Sequence, residues 1–372
     1  MSTIRRPATL VFMLVAALFM LTACAPPESA EAPDAAEEAT VAAAELTPAA
    51  ATPIAGDFET DTHRFEEVAD GVYFVTYTVP MFNSNSMVVI NEDDVLVVDS
   101  HITPATGRQL IASIRQVTDK PITTVVNTHF HYDHAHGNQV FGPIQIVGHE
   151  HTRMRMAGTP HEEPTWASYT AGQRNGLERL EAALGEAEDD VGRAEIEARI
   201  ESLKGQIAAN AEVVPTPPNT TFNERITLVR GDREIQVIFC GRAHTGGDVV
   251  IYLPADKIAF TGDMMLGGPS FLGDGHVDEW PETLENLKAL DIELILPGHG
   301  PGITDLQLID HVQAFYRDLW SQVVALRAEG KNIGETAAAV DLSAHTENFG
   351  RPVGTNAQAV GRMFYLLDER AE

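Results

Sequence analysis

The chain has 372 residues, two cysteines and a formal net charge of −29 at neutral pH. So strong a negative charge repels phosphate backbones, which excludes nucleic acid as an expected partner. Two cysteines are too few to build a disulfide-rich scaffold. The length suits one large domain after a short leader and a linker.

The first 23 residues are predicted to be an export signal rather than part of the fold. Arg5 and Arg6 precede an apolar stretch at 10–21 that is too short for a stable membrane span. The stretch ends in Leu21-Thr22-Ala23-Cys24, which resembles a bacterial lipoprotein signal box. That resemblance implies cleavage before Cys24, a lipid anchor on its thiol, and a location on the periplasmic face of the outer membrane. A generic secretory peptide cut at another position is the alternative.

Residues 24–57 are predicted to form a disordered tether between this anchor and a folded domain at 58–372. After Cys24 the segment is rich in Ala, Pro and Glu and has no Lys, Arg or aromatic residue. Such a composition cannot bury enough apolar surface to offset the conformational entropy of an ordered chain. The second cysteine, Cys240, ends an apolar strand-like run and is expected to be buried, without a disulfide.

Apolar runs bounded by turn residues predict an α/β fold. In the first half we expect strands at 71–79, 86–90, 95–98 and 122–126, with a helix at about 106–117. In the second half we expect strands at 226–229, 233–240, 249–253 and 257–260, then a helix at about 281–290. Two amphipathic helices follow, one opened by Asp305 and one at about 356–368. Two sheets packed face to face with helices outside, in αβ/βα order, account for this succession.

The most informative motif comes directly after the strand at 122–126. Residues 127–134 read Asn-Thr-His-Phe-His-Tyr-Asp-His. Neutral imidazoles and a carboxylate are ligands that zinc prefers, and a strand followed by a tight loop can direct them to one point. The motif therefore predicts a metal site formed by four side chains: His129, His131, Asp133 and His134.

One segment, at 173–213, is dense in Glu, Ala, Arg and Leu. Its apolar residues follow helical spacing on both sides of Gly185 to Gly192 and lose it between them, which predicts a helical hairpin. Three interpretations remain open: an excursion on the domain surface, a lid over the metal site, or a dimer contact. In the second and third, Trp166 and Tyr169 are candidates to line the substrate pocket.

Three later strands each end in a glycine-bearing turn that carries a potential ligand: His244, Asp263 and His299. Loops at strand ends are where open sheets place ligand-binding side chains. The glycine-rich segment at 267–276, here called the mouth loop, is predicted to be mobile at the entrance of the site. Three further side chains are candidates for substrate contacts: Tyr132, Asn138 and His276.

With these motifs in this order, the chain resembles the metallo-β-lactamase superfamily from about Phe58 to the C-terminus. The resemblance implies a four-layer αβ/βα sandwich with two zinc ions, although iron or manganese can occupy similar cages. It assigns three ligands to the first metal: His129, His131 and His244. It assigns three to the second, Asp133, His134 and His299, with Asp263 as the bridge. Asp99 matches an aspartate that supports the ligand loop in this family.

The resemblance also implies hydrolysis of a small-molecule substrate. A hydroxide shared by two metal ions attacks a carbonyl group, and Asp133 orients the hydroxide or relays its proton to the leaving group. The expected substrate is a small ester, thioester, lactone or amide. The alternative is a metallo-β-lactamase that hydrolyses β-lactam antibiotics.

Several branches of the superfamily fit the sequence less well. β-Lactamases with a cysteine ligand have Cys where Asp263 stands and Lys three residues later, where this chain has Leu266. The other dizinc β-lactamase subclass generally lacks an aspartate bridge. Di-iron oxygen-reducing relatives have Glu where His131 stands and add a flavin domain, and sulfur dioxygenases use one iron. A non-catalytic binding lipoprotein is expected to have lost ligands, whereas this chain keeps all seven.

Overall fold

The computed structural model describes residues 56–157, 163–187 and 189–370. The predicted signal at 1–23, the lipidation site Cys24 and nearly all of the tether at 24–57 lie outside the described residues. Within the described ranges, no helix combines the length and the apolar character that a membrane crossing requires.

The first sheet contains eight strands that lie side by side in chain order. They are β1 (Phe58–Glu59), β2 (His63–Ala69), β3 (Val72–Tyr77), β4 (Ser86–Ile90), β5 (Val95–Val98), β6 (Ile122–Val126), β7 (Gln145–His149) and β8 (Thr220–Phe222). Strands β1 to β5 pair antiparallel, and β5 to β8 pair parallel. Since β5, β6 and β7 run in the same direction, their carboxyl ends and the loops that follow meet at one edge of the sheet.

The second sheet contains five strands in the order β13-β12-β11-β10-β9. They are β9 (Arg225–Arg230), β10 (Arg233–Phe239), β11 (Val249–Leu253), β12 (Ile258–Gly262) and β13 (Leu294–Pro297). Neighbours pair antiparallel except β12 and β13, which are parallel. A parallel pair needs a crossover connection, and α6 (Trp280–Lys288) provides it.

Three apolar layers hold the two sheets and their helices together. Between the sheets, Val98 and Val126 belong to one cluster with Val249 and Phe260. The outer face of the first sheet packs on α1 (Pro104–Ile114). The outer face of the second sheet packs on three helices: α6, α7 (Gln307–Ala328) and α10 (Ala357–Glu369). The predicted αβ/βα sandwich is therefore confirmed, because each sheet buries one face against the other sheet and one against helices.

The segment predicted as a helical hairpin forms two helices, α4 (Pro164–Glu186) and α5 (Asp190–Ala211). The first begins at Pro164 rather than at residue 173, because the Glu163 side chain accepts a hydrogen bond from the Trp166 backbone N–H and Pro164 suits the first turn. The Asp189 side chain caps α5 through the Gly192 N–H. These two helices are called the α4–α5 hairpin below.

Short helices complete the described residues: α2 (Tyr132–Ala135), α3 (Glu150–Ala157), α8 (Ile333–Ala339) and α9 (Thr346–Phe349). Cys240 is buried and its thiol is free, as the sequence predicts. The predicted strand and helix boundaries shift by a few residues at several ends, and β1 and β2 extend the first sheet beyond the predicted meander.

Candidate metal centre

The seven predicted ligands lie in the segments that follow four strands, β6, β10, β12 and β13, and two of them, Asp133 and His134, belong to the short helix α2. They form three overlapping groups, and within each group the potential ligand atoms lie within 4.8 Å of one another. The groups are His129 with His131 and His244, His129 with His134 and Asp263, and Asp133 with His134 and His299. Because neighbouring groups share a histidine, the seven side chains make one continuous cluster, called the metal centre below.

Asp263 lies between the two ends of the metal centre. Its Oδ2 atom is 3.6 Å from His244 Nε2 and 3.6 Å from His299 Nε2. Its other oxygen, Oδ1, is 3.4 Å from His134 Nε2. This carboxylate therefore contacts histidines of both proposed metal positions, as a bridging ligand must.

Asp99 fixes the orientation of two histidines from behind. Its backbone adopts φ of 60°, a left-handed conformation that aspartate tolerates better than most residues. Its Oδ2 atom accepts hydrogen bonds from the Thr128 hydroxyl at 2.8 Å and from His134 Nδ1 at 2.6 Å. Since the Thr128 hydroxyl donates to Asp99, its oxygen accepts from His129 Nδ1 at 2.9 Å. Both imidazoles consequently donate through Nδ1 and direct Nε2 towards the centre.

The mouth loop orients the two remaining histidines of the first proposed site. Asp274 Oδ2 lies 3.2 Å from His131 Nε2, and the carbonyl oxygen of Phe271 lies 3.0 Å from His244 Nδ1. Since both oxygens can only accept, these ring nitrogens donate. The other ring nitrogens, His131 Nδ1 and His244 Nε2, face each other at 2.9 Å, a separation at which they share a proton or both contact a metal ion.

Buried polar atoms also match a metal ligand set. The Nε2 atoms of His129 and His134 are buried and form no hydrogen bond within the described part of the chain. A buried polar atom without a partner costs free energy, and coordination of a metal ion would satisfy both atoms. Imidazole nitrogens with carboxylate oxygens are a donor set that suits zinc.

The charges in the centre favour a bound cation. Burial opposes the charged form of His134, yet the carboxylates of Asp133, Asp99 and Asp263 raise its pKa well above the ordinary value. Burial likewise disfavours the charged form of Asp133, but His134 and His299 hold the pKa of that carboxyl well below its usual range. Positive charge at His134 Nε2, from a proton or a metal ion, is therefore stabilised by its surroundings.

A glycine allows the loops to approach this closely. A Cβ atom at Gly298 would lie 2.3 Å from Asp263 Oδ1 and 2.7 Å from His134 Cε1. Contacts this short are sterically forbidden, so any larger residue would displace one of the two ligands. The Pro-Gly-His sequence that ends β13 thus has a packing reason for its glycine.

A cavity of about 260 Å³ opens beside the metal centre. Besides four of the ligands, the residues that line it are Phe82, Tyr132, Thr165, Ser168, Tyr169, Phe271 and Gln358. Of the residues predicted to contact substrate or to line its pocket, Tyr132 and Tyr169 line this cavity, whereas Trp166 lines a neighbouring cavity.

The other two candidates for substrate contacts do not line this cavity. The Asn138 side chain is fully buried, and its amide exchanges hydrogen bonds with that of Asn127 and donates to the Thr216 carbonyl. His276 Nε2 lies 3.3 Å from the Arg362 guanidinium. Both side chains take part in internal packing, away from the lining residues.

Sequence reasoning missed Phe82, Gln358 and Asp274. The first two lie in segments whose pattern gives no signal, before β4 and at the start of α10. Asp274 did carry a signal, because it is a carboxylate inside the mouth loop, and histidine ligands usually donate their second N–H to such a group.

A four-layer αβ/βα sandwich with a histidine and aspartate centre on the loops that follow its strands defines a class of metal-binding proteins. The family model described as metallo-beta-lactamase superfamily matches residues 79–299. That match covers more than half of the chain, and the chain therefore belongs to the metallo-beta-lactamase superfamily.

Two curated relatives are hydrolases by name. A linear primary-alkylsulfatase from Pseudomonas sp. (strain ATCC 19151) is 21% identical over 272 residues, which is 69% of this chain and 50% of the relative. A type 2 metallo-beta-lactamase from Elizabethkingia meningoseptica is 31% identical over 85 residues, 21% of this chain and 34% of the relative.

A solved structure shows the same fold. The stereoselective inverting sec-alkylsulfatase Pisa1 from Pseudomonas sp. matches with a TM-score of 0.60 and 15% identity, covering 81% of this chain and 49% of the alkylsulfatase. The chain thus spans about half the length of either alkylsulfatase. At this identity the structural likeness establishes the architecture alone.

Proposed function

We propose that the chain is a dinuclear zinc-dependent hydrolase that attacks the carbonyl group of a small ester, thioester, lactone or amide. One observation carries the proposal: seven imidazole and carboxylate side chains form one cluster, in which His131 Nδ1 and His244 Nε2 lie 2.9 Å apart and Asp263 reaches from His244 to His299. Five imidazoles and two carboxylates are a donor set that suits two zinc ions. Membership of the superfamily supports the reaction class.

Zinc in a centre of this kind supplies an activated water and polarises the oxygen of the substrate. The protein contributes Asp133, whose carboxylate lines the cavity and whose Oδ2 lies 3.0 Å from His299 Nε2. A carboxylate at the boundary between metal centre and cavity can take a proton from the attacking water and pass it to the leaving group.

Tyr132 contributes a hydrogen-bond donor. Burial and the nearby Asp133 carboxylate raise the pKa of its hydroxyl far above the ordinary value. The hydroxyl therefore stays protonated at every working pH and can donate to negative charge that develops on the substrate oxygen.

Metal analysis and a hydrolysis assay test the proposal together. We expect about two zinc ions per chain, loss of hydrolysis on removal of metal by a chelator, and recovery with zinc. Asp133→Ala should abolish turnover, whereas Asp291→Ala, at a site whose side chain is 75% exposed, should not. Turnover by a verified metal-free preparation would contradict the proposal.

β-Lactam hydrolysis is the second candidate, because a type 2 metallo-beta-lactamase is 31% identical to this chain over 85 residues. A strained amide would meet the same attacking water. A screen that includes a chromogenic β-lactam beside esters, thioesters and lactones separates the two candidates by their relative kcat/KM.

A further inference from the structure

The cavity beside the metal centre has an aromatic wall. The rings of Tyr132 and Tyr169 stack with centroids 4.9 Å apart, and Phe82 lies 6.2 Å from each of them. The Phe82 ring also lies nearly parallel to that of His299, at 5.3 Å, so the wall begins at the metal ligands. Phe271 completes the lining.

Two of these rings are partly exposed to solvent. Phe82 is 50% exposed and Phe271 is 42% exposed, although both lie beside a polar centre. Large exposed aromatic side chains at a cavity indicate a binding surface, because a ligand that covers them removes apolar surface from water that folding did not bury.

The α4–α5 hairpin builds one side of this wall. Its first turns place Thr165, Ser168 and Tyr169 on the cavity. The Tyr169 hydroxyl accepts a hydrogen bond from Gln173 Nε2 at 2.9 Å, and Gln173 Oε1 in turn accepts one from Asn210 Nδ2 on α5.

The hydrogen bonds and ring contacts of Tyr169 join the hairpin to the cavity wall, so the hairpin is not only an excursion on the domain surface. Gln173 and Asn210 are both buried, so their hydrogen bonds specify one arrangement of the two helices. Tyr169 also stacks on the buried Trp166, at 5.6 Å between centroids. The ring is thereby held in place against Tyr132 before any substrate arrives.

The cavity offers no positive side chain to a substrate. Apart from the metal ligands and the rings, its described lining residues are neutral: Thr165, Ser168 and Gln358.

None of the described arginines around the mouth loop lines the cavity. Arg155 lies over the Phe130 ring at 4.0 Å and pairs with Glu163 at 3.2 Å and with Asp274 of the mouth loop at 3.6 Å. Arg362 donates to the Gly275 carbonyl, and Arg351 lies beside Gly268 without lining the cavity. A substrate carboxylate or sulfate away from the reacting bond would therefore lose its hydration without gaining a partner.

We propose that the α4–α5 hairpin makes this centre selective for uncharged substrates that carry an aromatic or other flat apolar group beside the reacting carbonyl. Tyr169 and Phe82 cover that group, and the neutral lining disfavours a second, anionic group. The proposal rests on the hydrolase function proposed above and specifies its substrate class. A cavity of about 260 Å³ is smaller than those that bury drug-sized ligands, which favours a single ring.

Binding of two ketones that cannot be hydrolysed tests whether the cavity disfavours a second, anionic group. Acetophenone and 4-acetylbenzoate differ only by a carboxylate, and calorimetric titration of the zinc-loaded full chain compares their Kd values. We expect acetophenone to bind about tenfold more tightly, because the carboxylate is desolvated without a partner. Equal or tighter binding of 4-acetylbenzoate would overturn the proposal.

A positive charge introduced on the hairpin should weaken this preference. Ser168→Lys places an ammonium group on the cavity and should lower the ratio of the two Kd values at least about fivefold. Ser202→Lys adds the same charge to an exposed position of α5 that does not line the cavity, and should leave the ratio unchanged. Thr165→Lys repeats the test from a neighbouring lining position if Ser168→Lys does not fold. An unchanged ratio in a folded lining variant would count against the proposal.

The role of the ring is tested by hydrolysis of phenyl acetate. Tyr169→Ala should raise KM about fivefold, the size of one aromatic contact, and Tyr169→Phe, which keeps the ring, should restore it. An unaltered KM in Tyr169→Ala would overturn the aromatic part of the proposal. Absence of hydrolysis of every ester, thioester and lactone, with the ketone preference intact, would instead overturn the proposed hydrolase function and leave the binding rule standing.

Discussion

Replacement of Asp274 by asparagine isolates the contribution of the mouth loop to metal binding. The carboxylate accepts a hydrogen bond from His131 Nε2 at 3.2 Å, which directs His131 Nδ1 towards the centre. Burial alone would raise the pKa of Asp274, but His131 and Arg155 outweigh it and lower that pKa to about 2. Asp274 is therefore ionised at working pH, and Asp274→Asn removes a full negative charge from behind a ligand.

The size of the effect follows from the contact. Loss of a carboxylate behind a metal-binding histidine costs roughly 10- to 100-fold in metal affinity, or about 1.4–2.7 kcal/mol. The Asp274 side chain remains 17% exposed and also lies 3.6 Å from Arg155, so part of its charge is screened or shared. We therefore expect the lower part of that range, about 10- to 30-fold weaker zinc binding.

Competition with a fluorescent zinc chelator measures this change directly. Asp291→Asn serves as the matched control, because its side chain is 75% exposed and pairs only with Lys257. A cobalt-substituted sample gives a second readout, since a reoriented His131 should shift the visible absorption of the bound ion. A folded Asp274→Asn protein with unchanged zinc affinity would refute the reasoning.

Three further predictions concern packing, pH and anchoring. Gly298→Ala should lose most bound zinc, because its Cβ would lie 2.3 Å from Asp263 Oδ1. Gly302→Ala meets only ordinary contacts and should keep its zinc, and analysis of the metal content of both variants tests this difference. Burial lowers the pKa of His63 from 6.5 to about 4. Between these two pH values the unfolded chain binds a proton that the folded chain does not. The free energy of unfolding should therefore fall by up to about 3 kcal/mol as the pH drops from 6.5 to about 4. His63→Gln should flatten that part of a plot of urea midpoint against pH, and superimposable curves would argue against it. Cys24→Ser in the full chain should move the protein from the membrane to the soluble fraction of the expressing cells, and unchanged membrane association would exclude Cys24 as the anchor.

The cluster of seven side chains could be predicted from the sequence because each of them follows an apolar run. The order of the strands places these strand ends together, and the glycine and histidine residues that follow the strands can be read from the sequence. The seven side chains accordingly lie in one cluster. The helical hairpin was equally visible, since loss of the 3.6-residue period between Gly185 and Gly192 marks the turn between α4 and α5.

The cavity could not be predicted in the same way. Asn138 is only a few residues from the ligand motif, yet its side chain points into the interior and binds Asn127, because nearness along the chain does not determine side-chain direction. Phe82 and Gln358 reach the cavity from segments far apart in sequence. Strand β2 was missed because its alternation begins with a buried histidine, His63, rather than an apolar residue.

Neither half of the sandwich contains all seven proposed ligands. The loop after β6 in the first sheet carries four, and the second sheet carries His244, Asp263 and His299. An ion bound by both sets would link the two halves of the sandwich, so separation of the two sheets would also require release of the ion. By mass action, an ion present at 100 times its dissociation constant adds about 2.7 kcal/mol against unfolding. Zinc supply in the compartment where the chain works would then govern how long the folded molecule survives as well as whether it turns over substrate.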